Sequence, residues 1–143
     1  MRAPFQVIVL PYTIQNGELM VLIGKRADND YWQTISGGGE NDETPIEAAK
    51  RELVEETSLE GKDWFQLDSM CMLPKKYYLG HESWGKEIFV IPEYAFIAKC
   101  SKNETISDEH SELKWCSVSE TESLLKYDSN KIALWETCQR LYL

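Results

Sequence analysis

The chain has 143 residues, 43% of them hydrophobic, which is enough for one domain with a real core and excludes a disordered tail. Its 24 acidic and 15 basic residues leave a net charge of −9, which argues against binding a nucleic-acid polymer through its phosphate backbone. Small phosphorylated ligands stay open, because cations can bridge carboxylates and phosphate oxygens.

Along the chain, Phe5–Thr13 is apolar and β-branched and reads as a buried strand rather than a signal peptide. Gln15-Asn16-Gly17-Glu18 signals a tight hairpin, and Leu19–Arg26 is the return strand. Tyr31–Ile35 reads as a short aromatic strand. Ser36–Asp42, with three consecutive glycines, reads as a loop that bends tightly or is closely approached. Thr44 is a good N-cap, Pro45 suits the first turn, and Thr44 and Glu47 stand in capping-box spacing, so a helix is expected from Pro45 to about Thr57. Gln66–Leu73, Lys86–Val90, Tyr94–Lys99 and Leu113–Val118 read as strands. Ser119 with Glu122 suggests a second capping box, and Asn130–Leu143 an amphipathic helix with Leu134, Cys138 and Leu141 on one face. We expect one domain over 1–143, with a mixed sheet and helices packed on its faces. No stretch reaches the ~20 apolar residues of a membrane span. Cys71, Cys100, Cys116 and Cys138 form no C-x-x-C pair and read as reduced apolar residues of a cytoplasmic protein.

The helix from Pro45 carries the chemistry. At ~100° per residue, Ile46, Ala49, Leu53 and Thr57 share a face that can pack on the sheet, while Glu52, Glu55 and Glu56 fall within a ~100° arc elsewhere. Taken alone, the carboxylates fit either a solvated face with ion pairs to Arg51 or a site for a hard divalent cation, which prefers oxygen ligands.

The wider spacing, Gly37-x5-Glu43-x7-Arg51-Glu52-Leu53-x-Glu55-Glu56-x-Ser58-Leu59, resembles the signature of the Nudix hydrolases. Only Ser58 departs, where that family usually has Gly, and this puts the helix exit in question more than the chemistry. The resemblance implies an α/β/α Nudix fold, a mixed sheet between helices, and Mg²⁺-dependent hydrolysis of a phosphoanhydride, with Mn²⁺ as an alternative cation. It implies that Glu52, Glu55, Glu56 and the backbone carbonyl of Ser36 hold the metal, with Glu52 a further ligand or the base that orients water. Arg51 would orient the carboxylates and Glu43 would support the loop–helix junction. Many members add an acidic residue from a late loop, and Glu109 is the candidate for that catalytic and metal-binding place.

For the substrate, Lys25-Arg26 followed by Asp28, Tyr31-Trp32-Gln33 and Ser36 is similar to the dihydroneopterin triphosphate pyrophosphatase branch, as are Glu109-His110, Lys114-Trp115 and Ser129-Asn130. That branch releases pyrophosphate from a pterin triphosphate, leaving the monophosphate. Trp32, Tyr77, Tyr78 and Trp84 are candidates for stacking a flat ring, or packing residues. Arg26 and Lys75-Lys76 are candidate phosphate contacts, or solvated charges. The alternatives are a nucleoside triphosphate pyrophosphatase of nucleotide-pool sanitation, an ADP-ribose or nucleotide-sugar hydrolase, and a Nudix-fold binding module without catalysis. The expected partner is a small phosphoanhydride substrate, with no nucleic-acid polymer and no membrane, and the protein is expected to be a monomer or homodimer.

Overall fold

A computed structural model describes residues 1–102 and 110–142 of the protein. The first strand, β1 (Arg2–Gln15), explains the architecture: its residues alternate between two cores. Val7 and Val9 join one apolar cluster, and Ile8, Leu10 and Tyr12 join the other, so its near-continuous apolar run reflects burial on both faces. The Asn16-Gly17 turn, both residues at positive φ, returns the chain into β2 (Glu18–Arg26), antiparallel to β1. The sheet has seven strands and is mixed, since β6 (Val90–Lys99) runs parallel to β1 while the other pairings are antiparallel.

Helix α1 (Pro45–Thr57) covers one face through Ala48, Ala49 and Leu53, packed with Val7, Val9, Leu22 and Phe96. Helix α3 (Asp128–Leu141) covers the other through Ala133 and Leu134, with Cys138 and Leu141 alongside. The short α2 (Val118–Leu124) precedes it. This is the expected α/β/α sandwich.

Several local expectations need correction. The glycine-rich segment is largely a strand: β4 (Ile35–Glu40) pairs antiparallel with β1. Its glycines are there for close approach, and none of them needs a positive φ. A Cβ on Gly37 would stand 2.0 Å from Cδ of Glu52, and one on Gly38 would stand 1.9 Å from Nε of Arg2. The expected Tyr31–Ile35 strand is two pieces, because β3 (Trp32–Gln33) pairs with β2 before the chain crosses at buried Thr34 to pair with β1. Residues 86–89 form no strand; Val90 alone of that segment joins β6, and Phe89 stays exposed. Strand β5 (Lys62–Pro74) starts four residues earlier than expected because two register shifts disrupt its alternation. Strand β7 (His110–Ser117) stops one residue short, and Ser117 rather than Ser119 caps α2, accepting Glu120 N–H at 3.2 Å. The four cysteines are free.

Candidate active site

The site starts from the entry to α1. Thr44 and Glu47 form the reciprocal capping box, which fixes the first turn. Two turns later Arg51 collects the acidic residues. It donates through Nε and Nη2 to the two oxygens of Glu43 at 2.8 and 2.9 Å, a fork-to-fork pair. Nη1 donates to Glu52 at 2.9 Å and Glu55 at 3.1 Å, and Nη2 also reaches the Gly38 carbonyl at 2.8 Å. Hydrogen bonding to Glu43, against the opposing effect of burial, raises Arg51 further above its ordinary pKa, so it is a fixed positive charge. The same guanidinium holds Glu43 below the usual carboxylate range. Arg51 therefore welds α1 to β4.

Glu56 is 1% exposed, and its Oε2 accepts the backbone N–H of Ser36 at 3.2 Å. Glu52, 8% exposed, lies over the bare Cα of Gly37. Ser36, Arg51, Glu52, Glu55 and Glu56 are thus brought together where α1 meets β4, with Glu43 joined through Arg51. The exit of α1, which Ser58 put in question, is a C-cap in the left-handed region (φ 63°), with Ser58 N–H donating to Val54 O at 2.9 Å.

Nudix hydrolases typically use a divalent metal. The donor set here fits one chemically: Arg51 pairs with Glu40, Glu43, Glu52 and Glu55, so several carboxylates converge on one guanidinium, and Glu56 adds a further buried carboxylate. Among the described residues no three acidic, histidine or cysteine side chains already stand as a closed ligand set. Glu52 is turned to Arg51 and Glu56 to the Ser36 N–H, so cation binding would exchange these bonds for metal contacts. Glu109 lies outside the described residues.

Two recesses open beside these carboxylates and share Gln6, Ser36 and Tyr78. The smaller, about 410 Å³, is lined by Arg2 and Arg26 together with Gly37, Gly38 and Glu52. Arg26 also pairs with Asp28 at 3.0 Å, and Arg2 sits over the Tyr78 ring at 5.0 Å. The larger, about 500 Å³, lies on the α3 side and is walled by Gln33, Thr34, Glu93, Tyr127 and Asn130, with Tyr77 at its rim. This volume suits a small-molecule site. Asn130 Oδ1 accepts Thr34 N–H at 3.0 Å, which ties α3 to the β3–β4 crossing.

The other expected contact residues lie elsewhere. Trp32 packs on the α3-side core, and its carbonyl accepts Lys126 N–H. The Trp84 indole donates to the Arg2 carbonyl at 2.7 Å, anchoring the N-terminal strand. Lys75 stands over Phe89 and Lys76 over Tyr77, and neither lysine is itself among the residues that line the two recesses. The sequence reading missed Arg2, Gln6 and Glu93. Glu93 had a signal, a lone acid inside the apolar run of β6; Arg2 and Gln6 become visible only through the pairing of β1.

A family model for the NUDIX domain matches residues 4–135. A crystal structure of a Listeria monocytogenes protein described as a NUDIX hydrolase is similar, with 38% identity, a TM-score of 0.85, and coverage of 97% of this chain and 94% of that one. The RNA pyrophosphohydrolase of Rickettsia bellii is 28% identical, covering 82% of this chain and 83% of its own. The dihydroneopterin triphosphate diphosphatase of Escherichia coli K12 is 32% identical over a shorter stretch, 41% of this chain and 39% of its own. With the signature helix, the α/β/α sandwich and these likenesses in agreement, the chain belongs to the Nudix family and is a pyrophosphohydrolase of that kind.

Proposed function

We propose that the protein uses Mg²⁺, or Mn²⁺ in its place, to hydrolyse a phosphoanhydride bond in the triphosphate of a flat heterocyclic compound, either dihydroneopterin triphosphate or a nucleoside triphosphate, releasing pyrophosphate. The observation that carries this reading is that the two recesses share Gln6, Ser36 and Tyr78 as common walls: a cavity large enough for a ring system lies beside an arginine-lined recess whose lining includes Glu52 and Gly37. A ring in the first, next to Tyr77 and Tyr78, would lay its phosphates along Arg2 and Arg26 toward the carboxylates. Guanidinium groups suit that task because their planar forks match phosphate oxygens.

When bound, a divalent cation neutralises charge on the phosphate oxygens and acidifies a water. The chain's own groups do the rest. Glu52, Glu55, Glu56 and the Ser36 carbonyl supply hard oxygen donors. Arg51, locked by Glu43 and the Gly38 carbonyl, keeps Glu52 and Glu55 in register. Glu52 is the residue best seated to orient a water or take its proton. Glu109 is proposed as a further acid for the same site.

A second reading comes from the curated relatives named RNA pyrophosphohydrolase, which makes the 5′ end of an RNA an alternative substrate. The net charge of −9 weighs against it. The test is a panel of dihydroneopterin triphosphate, the common and oxidised nucleoside triphosphates, ADP-ribose, nucleotide sugars and a 5′-triphosphorylated RNA, with Mg²⁺. Pyrophosphate and phosphate are measured separately. Pyrophosphate from a small triphosphate well above the rest supports the proposal. Turnover of the RNA alone favours the second reading. Binding without turnover of any member favours a non-catalytic module.

A further inference from the structure

Glu93 is an acid in the wrong place for a structural residue. It sits in the middle of β6, 9% exposed, flanked by β1 at Gln6 and β5 at Cys71. Among the described residues no cation pairs with it. Burial pushes its carboxyl up, opposed by a hydrogen bond from the Ser129 hydroxyl. A carboxylate left this way in the sheet costs stability unless something completes its hydrogen bonding. It faces the ring-sized cavity and not the acidic face of α1. Thr34, in the same wall, has a buried hydroxyl with no partner among the described residues. Among the described residues the cavity wall thus holds a carboxylate with a single hydroxyl donor and, in Thr34, an unpartnered hydroxyl, with tyrosines beside them.

We propose that Glu93 selects the substrate by accepting two adjacent N–H groups from a 2-amino-4-oxopyrimidine edge, the edge shared by guanine and pterins. This rests on the reading that the cavity takes the substrate's ring. An ionised carboxylate only accepts. Guanine and pterins offer a ring N–H beside an exocyclic amino group, two donors side by side that match its two oxygens. Adenine and cytosine set a ring acceptor beside their amino group, uracil flanks its ring N–H with carbonyls, and hypoxanthine lacks the amino group. Each leaves at least one oxygen of Glu93 buried and unpaired, or repelled.

The test is calorimetric binding of GDP, IDP, ADP and 7,8-dihydroneopterin to the full-length protein, with and without Mg²⁺, for wild type and Glu93→Gln. The wild type is expected to bind GDP roughly ten- to a hundredfold more tightly than IDP, which lacks only the amino group. Glu93→Gln should erase most of that ratio while leaving IDP affinity near its original value. Dihydroneopterin binding that is lost in Glu93→Gln assigns the edge to a pterin, and a GDP preference without it assigns the edge to a guanine nucleotide. Equal affinity for GDP and IDP without dihydroneopterin binding, a preference for ADP, or no binding of any probe overturns the proposal. Because binding is read without turnover, a protein that hydrolyses every triphosphate alike sinks only the role of Glu93. One that discriminates the ring but never releases pyrophosphate sinks only the hydrolytic reading.

Discussion

Gly37→Ala separates catalysis from stability. The added Cβ would lie 2.0 Å from Cδ of Glu52 and 2.3 and 2.5 Å from its two oxygens. Ordinary carbon contacts are about 3.5 Å or more, so the carboxylate has to retreat by about 1.5 Å. It can do so, because it is the tip of a flexible side chain. The retreat breaks its 2.9 Å bond to Arg51, which keeps Glu43 and Glu55 as partners. The stability cost is then about 1 kcal/mol, or about 3 °C in melting temperature. A catalytic carboxylate misplaced by more than 1 Å costs far more in rate, on the order of 10²-fold. The assay is kcat/KM for pyrophosphate release at saturating Mg²⁺, beside a thermal melt in the same buffer. Gly61→Ala is the control, since its Cβ would meet the Cβ of Ala98 at 2.5 Å, and neither atom can swing away. That variant should lose ~1–3 kcal/mol of stability, with the folded fraction still active. If Gly37→Ala keeps activity within twofold of wild type, or loses it only in step with unfolding, the close seat of Glu52 on Gly37 has no catalytic meaning.

Two further outcomes follow from local geometry. Ser58 holds a left-handed conformation at φ 63°, so Ser58→Gly should stabilise the protein by about 0.5–1 kcal/mol in a thermal melt, with turnover unchanged. Glu136 staples α3 to β5, accepting the N–H groups of Asp68 and Ser69 at 2.8 Å each and Arg140 Nε at 2.7 Å. Burial raises its pKa, but these bonds and the Ser69 hydroxyl outweigh it and hold the carboxyl at about 2, against an ordinary 4.5. Its folded pKa is depressed, so its stabilisation is full above about pH 4.5 and is lost as pH falls toward 2. Glu136→Gln should therefore cost on the order of 2 kcal/mol in denaturant titrations at pH 7 and progressively less between pH 4.5 and 2. A pH-independent difference would mean that the staple acts by packing.

Where structure is written locally, the sequence reads well. Thr44, Pro45 and Glu47 specify the start of α1, and Asn16-Gly17 the hairpin, because caps and tight turns depend on neighbours in the chain. The carboxylate cluster was legible for the same reason: its members share one helix at fixed spacing. The glycines of β4 misled, because a run of three usually means a loop. Here each gives room to a side chain from another element, Glu52 of α1 at Gly37 and Arg2 of β1 at Gly38. Strand β5 was half hidden because its irregular register breaks the period of two. The ring cavity was least legible. Gln6, Glu93 and Asn130 come from β1, β6 and α3, and only the parallel pairing of β1 with β6 and the packing of α3 unite them. Trp32 and Trp84 looked like stacking residues by type, yet the core and the N-terminal strand claim them, while Tyr77, Tyr78 and Tyr127 line the cavity.

In the proposed function, the carboxylate face of α1 hydrolyses a phosphoanhydride with a divalent cation. Glu56→Gln tests it most directly, because the amide keeps the shape and an oxygen that can accept the Ser36 N–H, while removing the charge. Mg²⁺-dependent pyrophosphate release and Mn²⁺ binding are measured together with the melting temperature. Turnover is expected to fall by ~10²-fold or more and Mn²⁺ binding to weaken, with the fold intact. Near-normal kcat with an unchanged Mg²⁺ dependence would contradict the proposed function.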